Sequence, residues 1–335
     1  MEMWTNGQWL PLVFMLLMGL SMLIYVVLDG YDLGVGMLMS RADPDERDMM
    51  IASIGPFWDA NETWLVLGVG ILLVAFPLAH GIILTALYLP VTLMLGGLIL
   101  RGVAFDFRAK ARDHHKRRWD GAFIGGSTLA SFSQGYMLAM FIMGFERSPG
   151  TLGFGILAGL GLMCGYCLVG SGWLIMKTEG ELQRKAVRWA RVALWGTAAG
   201  MALVSLATPL ISPRVFEKWF ALPQFFLLLP VPLLVAGLIV LVEMNLRHLT
   251  RNPARWGWVP FSGSVGLFMM GFFGLAYSFY PYIVPERLTI WQAASAPESL
   301  LIILVGTLSV LPCIIGYTIF AYRVFWGKVG ELRYD

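Results

Sequence analysis

Six side chains stand where ionisable groups are expensive. Asp29, Asp32, Asp59, Glu62, Arg101 and Asp106 lie within or at the ends of long apolar stretches. A carboxylate at the centre of a bilayer costs roughly 2.5 to 3.5 kcal/mol on insertion scales, so intramembrane acids point to proton relays and ion pathways. Five carboxyls can each hold a proton, and one arginine can keep neighbouring carboxyls ionised. Asp29 and Asp32, three apart, share one helical face. Arg101 and Asp106 are five apart, a poor spacing for a pair on one helix, so Arg101 is expected to serve an acid on another helix. Trp58, directly before Asp59, reads as a membrane-interface aromatic. A blander reading stands beside the proton path. Asp59 followed by Glu62 resembles a capping box, acids at a helix start are favoured by its dipole, and Asp29 and Asp32 near an interface are merely solvated.

These residues need long helices to position them. The chain has 335 residues, 58% hydrophobic and only 13% charged, about half the charge of an average soluble protein, for which roughly 25% is usual. The fold class implied is an all-α integral membrane protein, a single polytopic domain over 1–335. Spanning the hydrocarbon takes roughly 20 apolar residues per helix. Nine blocks of that order run over about 9–39, 60–78, 81–107, 121–145, 152–176, 190–210, 222–246, 259–281 and 298–326. The first lacks a basic n-region and a small-residue cleavage site, so a retained helix is expected there rather than a signal peptide.

With the N-terminus outside, the inner segments hold Arg41, Arg47, Arg108, Lys110, Arg112, Lys116, Arg117, Arg118, Lys177, Arg184, Lys185, Arg188, Arg191, Arg247, Arg251, Arg255, Arg323, Lys328 and Arg333. The outer loops hold only Arg147, Arg214, Lys218 and Arg287. The positive-inside rule therefore predicts a periplasmic N-terminus and a cytoplasmic C-terminus. It also places Asp29, the start of the second helix and the end of the third near the inner face, so that five acids and Arg101 are expected at one level. The longest inner connection, 108–120, reads as a basic linker.

Other chemistry is poorly supported. The net charge of +3 is small and the bases are scattered, so a nucleic-acid partner has no continuous surface to bind. Cys164 and Cys167 lie in an apolar block and read as packing residues. Of four histidines, His114 and His115 fall in the basic loop, His248 follows the seventh block and His80 sits at an outer turn, so none pairs at a ligand spacing. Gly30 and Gly34 form a small-xxx-small pattern that permits close helix contact. A proton-coupled secondary transporter is the competing function; it would more readily show internal repeats and acids on broken helices at the midplane.

Five strings carry a resemblance. Asp29-Gly-Tyr-Asp32-Leu-Gly34-Val-Gly36, Pro56-Phe-Trp58-Asp59-Ala-Asn61-Glu62-Thr-Trp64, Arg101-Gly-Val-Ala-Phe-Asp106-Phe-Arg108, Gly172-Trp173-Leu-Ile-Met-Lys177-Thr-Glu179-Gly180 and Phe279-Tyr280-Pro281-Tyr282-Ile-Val-Pro285 occur in order over most of the chain. Together they resemble subunit II of the cytochrome bd-type quinol oxidases, in detail the cyanide-insensitive branch. The resemblance implies a multi-pass subunit of the bacterial inner membrane. Its partner would be a larger subunit I bearing two b-type haems and one d-type haem, in a complex that oxidises quinol and reduces oxygen to water. It implies a cytoplasmic proton path through the positions matching Asp32, Trp58, Asp59, Arg101 and Asp106, to which the charge pattern adds Asp29 and Glu62. A structural quinone in subunit II and a small accessory subunit are further features of the family, and membrane lipid is a general partner. Where some relatives have Gln, this chain has Glu62, which adds a titratable group at the path's entrance.

Overall fold

In the computed structural model, which describes residues 8–251 and 256–329, the chain is almost wholly helical. Arg255 and Arg333 of the inner charge set lie outside the described residues. The first helix, α1 (Leu10–Leu38), continues as a 3-10 turn to Arg41, followed by a short surface helix, α2 (Pro44–Ile54). Then come α3 (Trp58–Ala75), α4 (Pro77–Lys110), α5 (Asp113–Ile142), α6 (Pro149–Lys177) and α7 (Gly180–Ile211). After two short helices, α8 (Pro213–Phe220) and α9 (Gln224–Leu228), the chain forms α10 (Pro230–Leu249) and α11 (Val259–Phe279). A small hairpin of β1 (Tyr282–Val284) and β2 (Leu288–Thr289) and the single turn α12 (Ile290–Ala293) precede the last helix, α13 (Pro297–Val324).

Among the described residues, eight helices are long and apolar enough to cross a membrane: α1, α3, α4, α6, α7, α10, α11 and α13. The block expected over 121–145 belongs to α5, which is 30 residues long. It packs between α4 and α6, but buried Ser127, Ser131 and Ser133 and the basic residues of its first turns dilute its apolarity. Two expected boundaries change. The block at 222–246 is broken, because Pro230 has no N–H to donate and starts a new helix. The linker at 108–120 is mostly helix, with only Ala111 and Arg112 between α4 and α5. There Arg108 is buried, 2.7 Å from Asp48 and 2.5 Å from Asp120, so part of that basic stretch ties helix ends together.

α1 is the axis of the bundle, touching α3, α5, α6 and α11. Where it meets α6 the two backbones come together at Gly34 and Gly170: a Cβ on Gly170 would lie 2.7 Å from Val35 N, and one on Gly34 would collide with the Tyr166 carbonyl. Without a hydrophobic drive between helices in lipid, such small-residue contacts are what let helices associate closely. α13 is the opposite case, with only Leu300, Thr307 and Ala321 buried along its length.

The ends are fastened by polar contacts. Asp43 and Glu46 form a capping box at the start of α2, and Lys185 of α7 reaches them at 2.7 and 2.9 Å. That lysine holds the Asp43 carboxyl below its usual range. Lys177, buried at the end of α6, donates to Phe325 O at 2.8 Å and stands 5.1 Å from the Phe57 ring and 5.0 Å from the Trp173 ring. Lys328 and Val329 also bond to this helix end, so the segment after α13 is clamped there. Lys177→Met keeps the stem's packing but removes one hydrogen bond and two cation–π contacts. It is expected to cost about 1–2 kcal/mol and to expose the segment after Phe325 to protease, read as faster C-terminal trimming of the membrane-embedded protein.

Candidate functional site

α1, α3 and α4 bring four of the expected residues together. Arg101 of α4 is 2% exposed, and its Nη1 lies 2.7 Å from Asp29 Oδ1 of α1, itself fully buried. Its other arm pairs with Glu62 of α3. The guanidinium thus spans acids on two helices, using the planar two-armed donor geometry that a lysine lacks. Asp106 is not one of its partners, in keeping with the five-residue spacing.

Asp32, also fully buried, belongs to a second group. Asn61 Nδ2 donates to Asp32 Oδ2 at 2.8 Å and reaches the Tyr31 hydroxyl at 2.9 Å. Tyr322, from α13, donates to Asn61 Oδ1 at 3.1 Å and its hydroxyl lies 2.6 Å from that of Tyr31. Tyr31 stacks on Trp173 with ring centres 4.3 Å apart. This network joins α1, α3, α6 and α13 behind the arginine.

Asp29 Oδ1 and Oδ2, Asp32 Oδ1, and Arg101 Nε and Nη1 are all buried without an aligned hydrogen-bond partner. Buried polar atoms are usually satisfied, so this concentration marks a place where protonation or hydration can change. A narrow crevice reaches it, lined by Trp58, Gly102, Phe105, Phe123, Asp32 and Arg101. Trp58 packs on Phe105 with ring centres 5.2 Å apart, and the crevice leaves no room for a water molecule.

Two expectations need correction. Asp29 and Asp32 are not solvated helix ends: α1 runs nine residues past Asp29, which sets Asp29 about 13 Å before its end at 1.5 Å per residue. Asp59 and Glu62 form no capping box: α3 starts at Trp58, Phe57 is its N-cap without a side-chain bond, and Glu62 turns to Arg101 instead. Asp59 stays in the first turn, where the dipole favours an acid. Of the five acids expected at one level with Arg101, Asp59 and Asp106 are exposed and join no ion pair among the described residues. Asn61 and Tyr31 stood inside the conspicuous strings without being singled out, and Tyr322 carried no local signal because its partner Asn61 is 261 residues away.

The residues do not fit a haem. Among the described residues, His80 is half-buried, His115 and His248 are exposed, and no cluster of His, Cys, Asp or Glu could hold a metal ion.

The fold and the cluster together define a class: a multi-pass helical membrane protein in which Arg101, buried between helices, is shared by carboxylates of two others. The family of cytochrome bd terminal oxidase subunit II matches residues 10–325. Cytochrome bd ubiquinol oxidase subunit 2 of Bacillus subtilis is 28% identical over 97% of each chain. Cytochrome bd-I ubiquinol oxidase subunit 2 of Escherichia coli is also 28% identical, covering 96% of this chain and 95% of its own. In fold, the chain resembles a chain of the bd oxidase from Geobacillus thermodenitrificans, with a TM-score of 0.75, 15% identity and coverage of 95% and 98%. This chain belongs to the cytochrome bd terminal oxidase subunit II family, and it is a multi-pass protein of the bacterial inner membrane.

Proposed function

We propose that this chain is the second subunit of a heterodimeric terminal quinol oxidase, that it supports assembly of the haem-bearing subunit I, and that it supplies protons from the cytoplasmic side for the reduction of oxygen. The family match and the curated relatives support the first part. The observation that carries the last part is the set of buried Asp29, Arg101 and Asp32, with half-buried Glu62, reached by the crevice beside Trp58. Three ionisable groups held out of water on α1 and α4 are costly unless they serve a purpose.

When bound by subunit I, haems deliver the quinol's electrons to oxygen. The residues of this chain attend to the protons. Exposed Asp59 and Asp106 collect them at the mouth, Trp58 restricts entry, and Glu62 and Arg101 line the way inward. Asp32 receives a proton at Oδ1, the oxygen that Asn61 leaves free. Taking these protons from inside while quinol protons leave outside moves net charge across the membrane, and the excess of Lys and Arg on the loops at this end supports the uptake side. The apolar groove of about 610 Å³ between α10 and α11, with Asn245, His248 and Trp258 beside Leu238, Leu241 and Met244, has residue types that fit a structural quinone. A transporter is not favoured: family membership runs end to end, and α1 is unbroken through both acids.

Asp32→Asn keeps the shape and removes the proton site. The assembled complex is expected to keep its haem spectrum and lose about a hundredfold in quinol oxidase turnover, at the low end of what a lost proton-transfer group costs. Wild-type turnover in a fully assembled Asp32→Asn complex overturns the proton path.

A further inference from the structure

The path just described uses Asn61 and leaves out the two tyrosines bonded to it. Asn61 of α3 is fully buried, and its Nδ2 faces Asp32 Oδ2 at 2.8 Å, the Tyr31 hydroxyl at 2.9 Å and, further off, Leu28 O at 3.3 Å. A backbone carbonyl only accepts, so the donating end of the amide belongs on this side. At its other end, Asn61 Oδ1 meets the Tyr322 hydroxyl of α13 at 3.1 Å, and the two tyrosine hydroxyls lie 2.6 Å apart.

The hydrogens of these groups can be counted. An amide oxygen carries none, so the Tyr322 hydrogen goes to Asn61 Oδ1. The contact between the hydroxyls then takes its hydrogen from Tyr31, and Tyr31 in turn accepts from Asn61 Nδ2. The result is a closed cycle from Asn61 to Tyr31 to Tyr322 and back, with every bond running the same way and both hydroxyl hydrogens used. Bonds aligned head to tail polarise and strengthen one another. The second N–H of Asn61 lies outside the cycle and goes to Asp32 Oδ2, which leaves Asp32 Oδ1 buried and without a partner. Aromatic packing holds the cycle in place: Tyr31 is stacked on Trp173, and Tyr322 lies against Phe57 with ring centres 4.6 Å apart. α13 is otherwise little buried, and Tyr322 is the point where it meets the site.

We infer that Tyr31 and Tyr322 are positioning residues of the proton path: with Asn61 they close a hydrogen-bonded cycle that pins Asp32 by Oδ2 and so presents Oδ1 as the oxygen that exchanges its proton. The cycle does not itself relay protons, since it touches Asp32 only through an amide N–H, which orients its neighbour without passing a hydrogen on. The inference rests on the proton-path reading and deepens it.

The test uses the whole oxidase complex. Tyr322→Phe and Tyr31→Phe keep both aromatic stacks and each open the cycle. Each is expected to lower turnover at saturating quinol about tenfold, the upper end of what one hydrogen bond contributes. The quinol KM and haem spectrum should stay at wild-type values, and the slowdown in D2O should exceed that of the wild type because proton delivery now limits the rate. The double variant is the sharper readout. A cycle opens only once, so Tyr31→Phe with Tyr322→Phe should turn over about as slowly as the slower single variant, whereas two independent losses would multiply to about a hundredfold. Multiplied losses overturn the inference, as do Phe variants that turn over like the wild type or slow down with an unchanged D2O effect. Should Tyr31→Phe not assemble, Tyr322→Phe decides by turnover and D2O effect. Asp32→Asn separates the two failures. If it is impaired while the Phe variants are not, only the cycle is refuted; if it is active, the path itself is.

Discussion

Arg101→Met is expected to leave almost no assembled oxidase in the membrane, measured as haem spectrum and co-purifying subunits. Met matches the length of the arginine stem but removes the cation from a site only 2% exposed. Asp29 is then a fully buried carboxylate without a countercharge. Breaking a buried ion pair from one side costs about 3–5 kcal/mol, a large part of the roughly 5–15 kcal/mol that holds a typical folded protein together. Arg101→Lys should recover only part, because one ammonium cannot present two parallel arms to Asp29 and Glu62. The double variant Arg101→Met with Asp29→Asn should assemble better than Arg101→Met alone, since the remaining partner, Glu62, is 31% exposed at its side chain and can be solvated. An Arg101→Met complex that assembles normally contradicts a buried ion-pair network. A double variant worse than the single one contradicts the assignment of Asp29 as the principal partner.

The long helices were legible because an apolar block of spanning length is hard to use otherwise, and Gly30 and Gly34 were legible as a contact because their spacing puts both on one face. The small elements were not. α2 is short and polar and the β1–β2 hairpin has only five strand residues, and only packing onto the bundle selects them. In the site, the spacing of Arg101 and Asp106 correctly directed the arginine to another helix, but choosing Asp29 and Glu62 required the packing of α1, α3 and α4. Asp29 and Asp32 were legible as neighbours, but their surroundings were not: Arg101 on one side, and Asn61 with Tyr322 on the other. Those partners are 29 to 291 residues away from the groups they touch, and local spacing carries no trace of contacts that only the folded bundle creates. Asp59 and Asp106 show the converse: acids conspicuous in the sequence that the fold leaves on the surface.

Gly34→Val is expected to disrupt the subunit as severely as loss of Arg101, through sterics instead of charge. A Cβ at Gly34 lands on the Tyr166 carbonyl oxygen, and across the same contact a Cβ at Gly170 would lie 2.8 Å from Gly34 C. Both obstacles are helix backbone, which cannot swing aside as a side chain does, so α1 and α6 must separate. Overpacking of this kind costs about 3 kcal/mol at the upper end of the usual range. The separation also propagates. Gly34 is two residues after Asp32, and α6 carries Trp173, which stacks on Tyr31, and Tyr166, which donates to Gln134. Gly34→Ala should therefore lower the thermal unfolding temperature of the complex and reduce turnover together. Gly96→Ala on α4, where a Cβ meets nothing within 4 Å, should leave both unchanged. The contrast isolates the contact from helix propensity, since both substitutions exchange glycine for alanine inside a helix and gain the same intrinsic preference. A Gly34→Ala complex as stable as Gly96→Ala shows that the two helices can yield, and then the close approach of α1 and α6 is not what holds the charged cluster in place.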